Sequence, residues 1–278
     1  MLKEWCRSGL WAFCIFCTPS VLAAQMSAER VLRDSAEKYT EEVAFKLYQH
    51  SFEYQVAMDS ALRISPNWAA GYRHKARPYL FSGDYANFMK YMQPAVENDY
   101  MELGYRGWCR LYFIKDYEGA IADLELLDKK TVDFDDFPMS ENLFYLTGLA
   151  KKEMGNFADA LVDFNKSVAS QSKNKGEEWV ESHTWFYRGV TYFEMSEYEK
   201  ALEDFYRTLK YDANSSDALF YMALTFEKLH RTSDICPLLR NSFEKFNKGF
   251  VHKDGLADVP NQLYLSDLEA KMKQYCDY

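Results

Sequence analysis

Apolar positions along this chain follow a helical period, and the period restarts at intervals. From residue 182 to 215 the sequence reads SHTWFYRGVTYFEMSEYEKALEDFYRTLKYDANS, with Trp185, Gly189 and Tyr192 on one helical face. Ser196-Glu197 interrupts that face, and Tyr198, Ala201 and Phe205 begin another. The spacing predicts two antiparallel helices crossing closely where Gly189 and Ala201 meet, with rings filling the space above and below. Phe144, Gly148, Ala160 and Phe164 repeat the alternation in residues 141–169, and Leu219, Ala223 and Phe226 repeat it in residues 216–247, where Pro237 interrupts the second helix. Residues 100–128 carry Gly107, Tyr117, Ala120 and Leu124, with one extra residue between the small pair. Residues 69–98 carry Tyr72, Ala76, Tyr79, Phe88, Met92 and Ala95. An opening unit starts with a weak helix between Ala28 and Leu47 and ends in Ala61-Leu62-Arg63-Ile64-Ser65-Pro66-Asn67.

The residues Trp185, Gly189, Tyr192, Ala201 and Phe205 resemble the tetratricopeptide repeat, with Arg188 in place of the pattern's leucine and Ala213 in place of its closing proline. The resemblance implies an all-α fold, an α-solenoid winding as a right-handed superhelix of about six helical hairpins, whose first helices line a concave surface. Ala120 to Ala160 spans 40 residues and Ala160 to Ala201 spans 41, so inserted loops are expected at residues 129–140 and 170–181. The pattern lapses over residues 248–261, where Gly249, Gly255 and Pro260 fall, and Leu263, Leu265, Leu268 and Met272 then predict a closing helix over residues 262–274. The chain divides into residues 1–23, a repeat array at 24–247, and a linker with a C-terminal capping helix at 248–278.

Lys3 and Arg7 precede the apolar run from Gly9 to Cys17, and Val21-Leu22-Ala23 places small residues before Ala24-Gln25. That order predicts a secretory signal cleaved after Ala23, hence an exported chain, periplasmic or secreted and soluble, without stable membrane insertion after cleavage. Cys109, Cys236 and Cys276 remain beyond it. An odd, widely spaced set is not a disulfide framework; at most one bridge can form, and buried free thiols fit better.

With 33 basic against 42 acidic side chains and a net charge of −9, the chain lacks the basic character of a nucleic-acid binder. It carries no His-Glu-x-x-His run, no Gly-rich phosphate loop and no nucleophile elbow, so no catalytic residue, cofactor or metal ligand set is expected. The acidic run Asp133-Phe134-Asp135-Asp136 lacks the glycine and distal glutamate of a calcium loop and reads as a solvated loop.

Members of the repeat family usually hold a peptide or another protein in the concave groove, which directs attention to the residues one and five places beyond each first packing residue. These are Arg73 and Arg77, Tyr145 and Leu149, Phe186 and Val190, and Phe220 with Leu224. Two arginines one turn apart could grip an acidic group, and the rings could take apolar side chains of a partner. Packing between neighbouring first helices is the competing reading of the rings. The primary expectation is a non-catalytic adaptor or scaffold; the alternative is a small-molecule carrier or hydrolase using carboxylates such as Asp133, Asp135 and Glu181.

Overall fold

The computed structural model of the protein describes residues 19–253 and 255–276. Among them lie thirteen α-helices and no strand. They pair in chain order as α1 (Pro19–Glu42) with α2 (Phe52–Ile64), α3 (Ala69–Phe81) with α4 (Tyr85–Asn98), and α5 (Glu102–Cys109) with α6 (Tyr117–Lys130). Then follow α7 (Leu143–Glu153) with α8 (Phe157–Ser172), α9 (Ser182–Glu194) with α10 (Tyr198–Tyr211), and α11 (Ser216–Lys228) with α12 (Ile235–Asn247). A last helix, α13 (Leu265–Tyr275), packs on α12. Six hairpins and a terminal helix form an α-solenoid, each unit resting chiefly on its neighbours. The expected signal segment falls largely on residues 1–18, which lie outside the described residues.

The close crossings predicted from small residues are present. A Cβ at Gly189 would come within 2.8 Å of the Phe205 ring, and one at Gly148 within 3.1 Å of the Phe164 ring. At Gly107 it would stand 2.9 Å from Leu124. Met92, Phe164 and Phe205 are wholly buried at equivalent places of three second helices.

The turns inside the hairpins share one device. Gly83, Lys115, Gly155, Ser196 and His230 all adopt a positive φ at the end of a first helix. Beyond each, a backbone amide returns to a carbonyl in the last helical turn, as in Asp84 N to Tyr79 O, Asn156 N to Lys151 O, Glu197 N to Tyr192 O and Arg231 N to Phe226 O. This is the Schellman closure, in which a left-handed residue lets the orphan carbonyls find donors. In the third unit the returning amide is Asp116 N and it reaches Arg110 O, one residue further back. There the chain widens into a π turn over Arg110–Ile114, which absorbs the extra residue between Gly107 and Ala120.

Arg188, a departure from the repeat pattern, has a structural role. Its Nε and Nη2 donate to the two carboxylate oxygens of Asp204, each at 2.7 Å, while Nη1 donates to Asn165 Oδ1 of the preceding unit at 2.8 Å. Arg106 repeats the arrangement in the third unit, clasping Asp123 at 2.8 and 2.6 Å and Gln93 Oε1 at 2.9 Å. Both clasps join the two helices of one hairpin and tie them to the hairpin before, in bidentate geometry that only arginine offers.

Two expectations are corrected. Cys236 and Cys276 form a disulfide that joins the start of α12 to the residue after α13, and among the described residues only Cys109 is a buried free thiol. The acidic run is partly built into the fold: Asp136 is buried against Thr131, and Ser170 Oγ donates to Asp135 Oδ1 at 2.8 Å, tying the first inserted loop to the last turn of α8, which extends into the second expected insert as far as Ser172.

Candidate functional site

The first helices α3, α5, α7, α9 and α11 present successive strips of side chain to the concave side. Over the last four units that side is occupied by the chain itself. After α12 the backbone reverses at Gly249 (φ +84°), and Phe250 O accepts from Ser216 N at 3.0 Å. His252 N then donates to Asp217 Oδ2 at 2.8 Å, with the His252 ring against His183 and Tyr187. Further on, Lys115 Nζ donates to Asp258 O at 2.6 Å and Tyr187 OH to Pro260 O at 2.7 Å. Lys152 Nζ donates to Asn261 Oδ1.

Residues 259–262 make a turn, with Gln262 N donating to Val259 O at 3.3 Å and Asn261 at φ +53°. Proline followed by a left-handed asparagine is the sequence a type II turn prefers. Val259 and Leu263 are buried in the same apolar cluster as the rings of α7 and α9, whereas Lys253, Gly255, Leu256 and Asp258 face solvent. The strap from 251 to 263 thus touches the third to sixth hairpins through two anchor points, with Lys253, Gly255, Leu256 and Asp258 exposed between them.

The residues predicted from the sequence fall into two groups. Tyr145, Leu149, Phe186, Val190 and Phe220 are all buried in the central cluster, although Phe186 also lines the cleft between α9, α11 and residues 249–252, and Phe220 lines a second cleft beside residues 261–263. Tyr145 packs on Phe164, His183 and Tyr187, and Phe186 on Phe205 and Tyr221, so neighbouring helices consume the rings. Packing takes up most of their surface, and the edges of Phe186 and Phe220 stay at the two clefts. Arg73 and Arg77 lie apart on α3, outside the reach of the strap contacts. Arg73 Nη1 donates to Glu102 Oε1 at 2.9 Å and its guanidinium stands over the Tyr105 ring, while Arg77 is exposed over Phe81.

Residues that the sequence pattern does not single out carry the groove floor: Lys115, Lys152, Tyr187 and Asp217. Lys152 is 5% exposed and is held by Glu153 as well as Asn261. Burial pushes the Asp217 carboxyl up to about 6 against the opposing pull of the hydrogen bond from His252 N. Partial burial also holds the Lys115 ammonium below its ordinary range. Beside the strap, Glu141 accepts from Trp108 Nε1 at 2.8 Å and from Tyr112 OH at 3.0 Å, and its carboxyl is raised by burial. A cleft of about 240 Å³ between α9, α11 and residues 249–252 is lined by His183, Asp217 and His252. Among the described residues no group of three metal-ligating side chains comes together, and Asp135 and Glu181 each have a local partner, Ser170 and His183. The floor combines three donors aimed at carbonyl oxygens, two ammonium groups and a phenol, with one carboxylate, Asp217, that accepts a backbone amide.

Among solved structures the chain resembles MamA, with 18% identity and a TM-score of 0.54 over 70% of this chain and 100% of that one. It also resembles PilW, described as a type IV pilus biogenesis factor, with 12% identity and a TM-score of 0.57 over 79% of this chain and 94% of that one. A third is YrrB, a TPR protein with an unusual peptide-binding site, with 16% identity and a TM-score of 0.50 over 68% and 92%. Identities this low speak for fold, and the fold they share is the tetratricopeptide-like solenoid. No protein-family model and no curated protein matches the chain. Among the described residues no helix is long and apolar enough to cross a membrane.

Proposed function

We propose that the chain is an exported, non-catalytic adaptor that holds a peptide or protein partner on its concave face. One observation carries the reading: the groove of the last four units already accommodates a non-helical segment, gripped by Lys115, Lys152 and Tyr187 through its backbone carbonyls and one amide side chain. A surface built to hold its own chain in this way has the chemistry to hold another. YrrB, of similar fold, is described as having a peptide-binding site, which supports the same reading. Export rests on the signal-like order of residues 1–23, and the Cys236–Cys276 disulfide is in keeping with an oxidising compartment.

On the first units, Arg73 and Arg77 are the residues proposed to meet the partner, through an acidic group. The test is site-specific photo-crosslinking in the native cell. A benzophenone side chain in place of Arg77 should trap a discrete partner, and Arg73→Glu in the same chain should weaken the product at least fivefold. The same probe in place of Tyr206, exposed on the second helix α10, should trap none. Equal products from positions 77 and 206, or none from 77, would rule out the concave face of the first units as the site.

A further inference from the structure

We infer that residues 251–263 are an internal occupant of the groove, and that a partner's extended segment, carrying an apolar residue followed by a proline–amide turn, binds the last four units by displacing them. The inference rests on the reading of the groove as a peptide site and adds its regulation and the chemistry of its guest.

Four observations support it. First, the strap's attachments are those of a bound peptide. Donors on three separate elements (Lys115 after α5, Lys152 on α7, Tyr187 on α9) meet backbone or amide oxygens of residues 258–261, and none of these bonds reads a side chain peculiar to this segment except Asn261. Second, Val259, Pro260 and Leu263 are fully buried and Val251 and Ala257 half-buried against the central cluster, while Lys253, Gly255, Leu256 and Asp258 between them stay exposed, as in a peptide held at separated anchors. Third, the floor beneath it is charged and hydroxylated, with Lys152 buried under the strap's turn. An ammonium group takes up such a place only where carbonyl or carboxylate oxygens meet it, and Glu153 together with Asn261 does so.

Fourth, both ends of the strap are secured to α12. The strap leaves the end of α12 and leads into α13, and the disulfide joins the start of α12 to the residue after α13 across 40 residues. Fixing both ends keeps the strap at high effective concentration over the groove, so an outside peptide competes against a tethered rival. Releasing one end lowers that concentration and leaves the groove donors unchanged.

The guest's chemistry follows from the turn. Val259-Pro260-Asn261-Gln262 puts the Pro260 carbonyl on Tyr187 OH and the Asn261 amide oxygen on Lys152, so a competing segment must offer a carbonyl and an amide oxygen in the same turn geometry.

The test uses the full chain and its Cys236→Ser/Cys276→Ser variant, with a fluorescent peptide of sequence VHKDGLADVPNQL, identical to residues 251–263. Hydrogen exchange at residues 256–263 should quicken at least tenfold in the variant, while amides of α7 to α10 keep their protection. The peptide should bind the variant at least tenfold more tightly than the parent chain, and Pro260→Gly or Asn261→Ala within the peptide should weaken it. Exchange at 256–263 that is the same in both proteins would overturn displacement while leaving the groove reading intact. Faster exchange with no peptide binding would overturn both. Loss of protection across α7 to α10 in step with the strap would show the segment to be part of the core, and the inference would fall.

Discussion

Ser196 and His230 occupy turn positions that Gly83 and Gly155 fill elsewhere, all at φ between +57° and +76°. A side chain with a Cβ is disfavoured in that region, whereas glycine is not. Ser196→Gly should therefore raise stability by about 0.5–1 kcal/mol, because the hydrogen bond its hydroxyl accepts from Tyr198 OH is solvent-exposed and adds little. Thermal melting of the two proteins decides it; a variant that melts lower would show that the hydroxyl, not the backbone, governs the turn.

Within the hairpin, the unit of stability is the pair of helices with its clasp. Asp204 is wholly buried and accepts from Arg188 and Arg207. Asp204→Ala would leave the Arg188 guanidinium half-desolvated without its carboxylate and should cost about 3 kcal/mol. Arg188→Leu/Asp204→Ala, which returns the pattern's own leucine and removes the stranded charge, should recover at least half of that in denaturant melts. A double variant no better than the single one would place the cost in lost packing.

Helical period and small-residue spacing make the six hairpins and the closing helix legible in the sequence, because packing in a solenoid is local and each unit reports its own neighbours. Arg188 reads there as a break in the pattern because its partners, Asp204 and Asn165, stand 16 and 23 residues away on other helices. Tyr145, Phe186 and Phe220 are ambiguous for a related reason: a ring facing the groove and a ring facing the next first helix differ by less than one helical position. The strap is invisible in the pattern. Its grip is largely through backbone groups, which leave no trace in side-chain periodicity, although Pro260-Asn261 does mark a turn. Three cysteines likewise allow three pairings, and only the seating of α13 on α12 selects one.

Across the whole molecule, acid acts in opposite senses at the two ends. On α3, burial and then the charges of Arg73 and Arg77 hold His74 down to about 4, so the unfolded chain takes up its proton first as pH falls. Stability contributed there is present above the ordinary histidine range and is lost as pH drops from about 6.5 toward 4. Asp217, raised to about 6 by burial, takes up its proton first in the folded chain, so the α11 end gains as pH falls from about 6 toward the ordinary carboxylate range. Hydrogen exchange at pH 7.5 and 5.0, corrected for intrinsic rates, should show α2 and α3 losing protection and α11 gaining it. Protection that moves the same way at both ends would contradict the pairing of shifts.

The wide turn at Arg110–Ile114 has a bearing on how such an array tolerates change. One residue added to a regular helix swings everything beyond it by about 100°, enough to point an inward side chain sideways. Here the surplus is dissipated before the chain reverses, and α6 still brings Leu124 against Gly107 in phase with the units on either side. A length mutation is quarantined within one revolution of backbone, and the stack downstream never registers it.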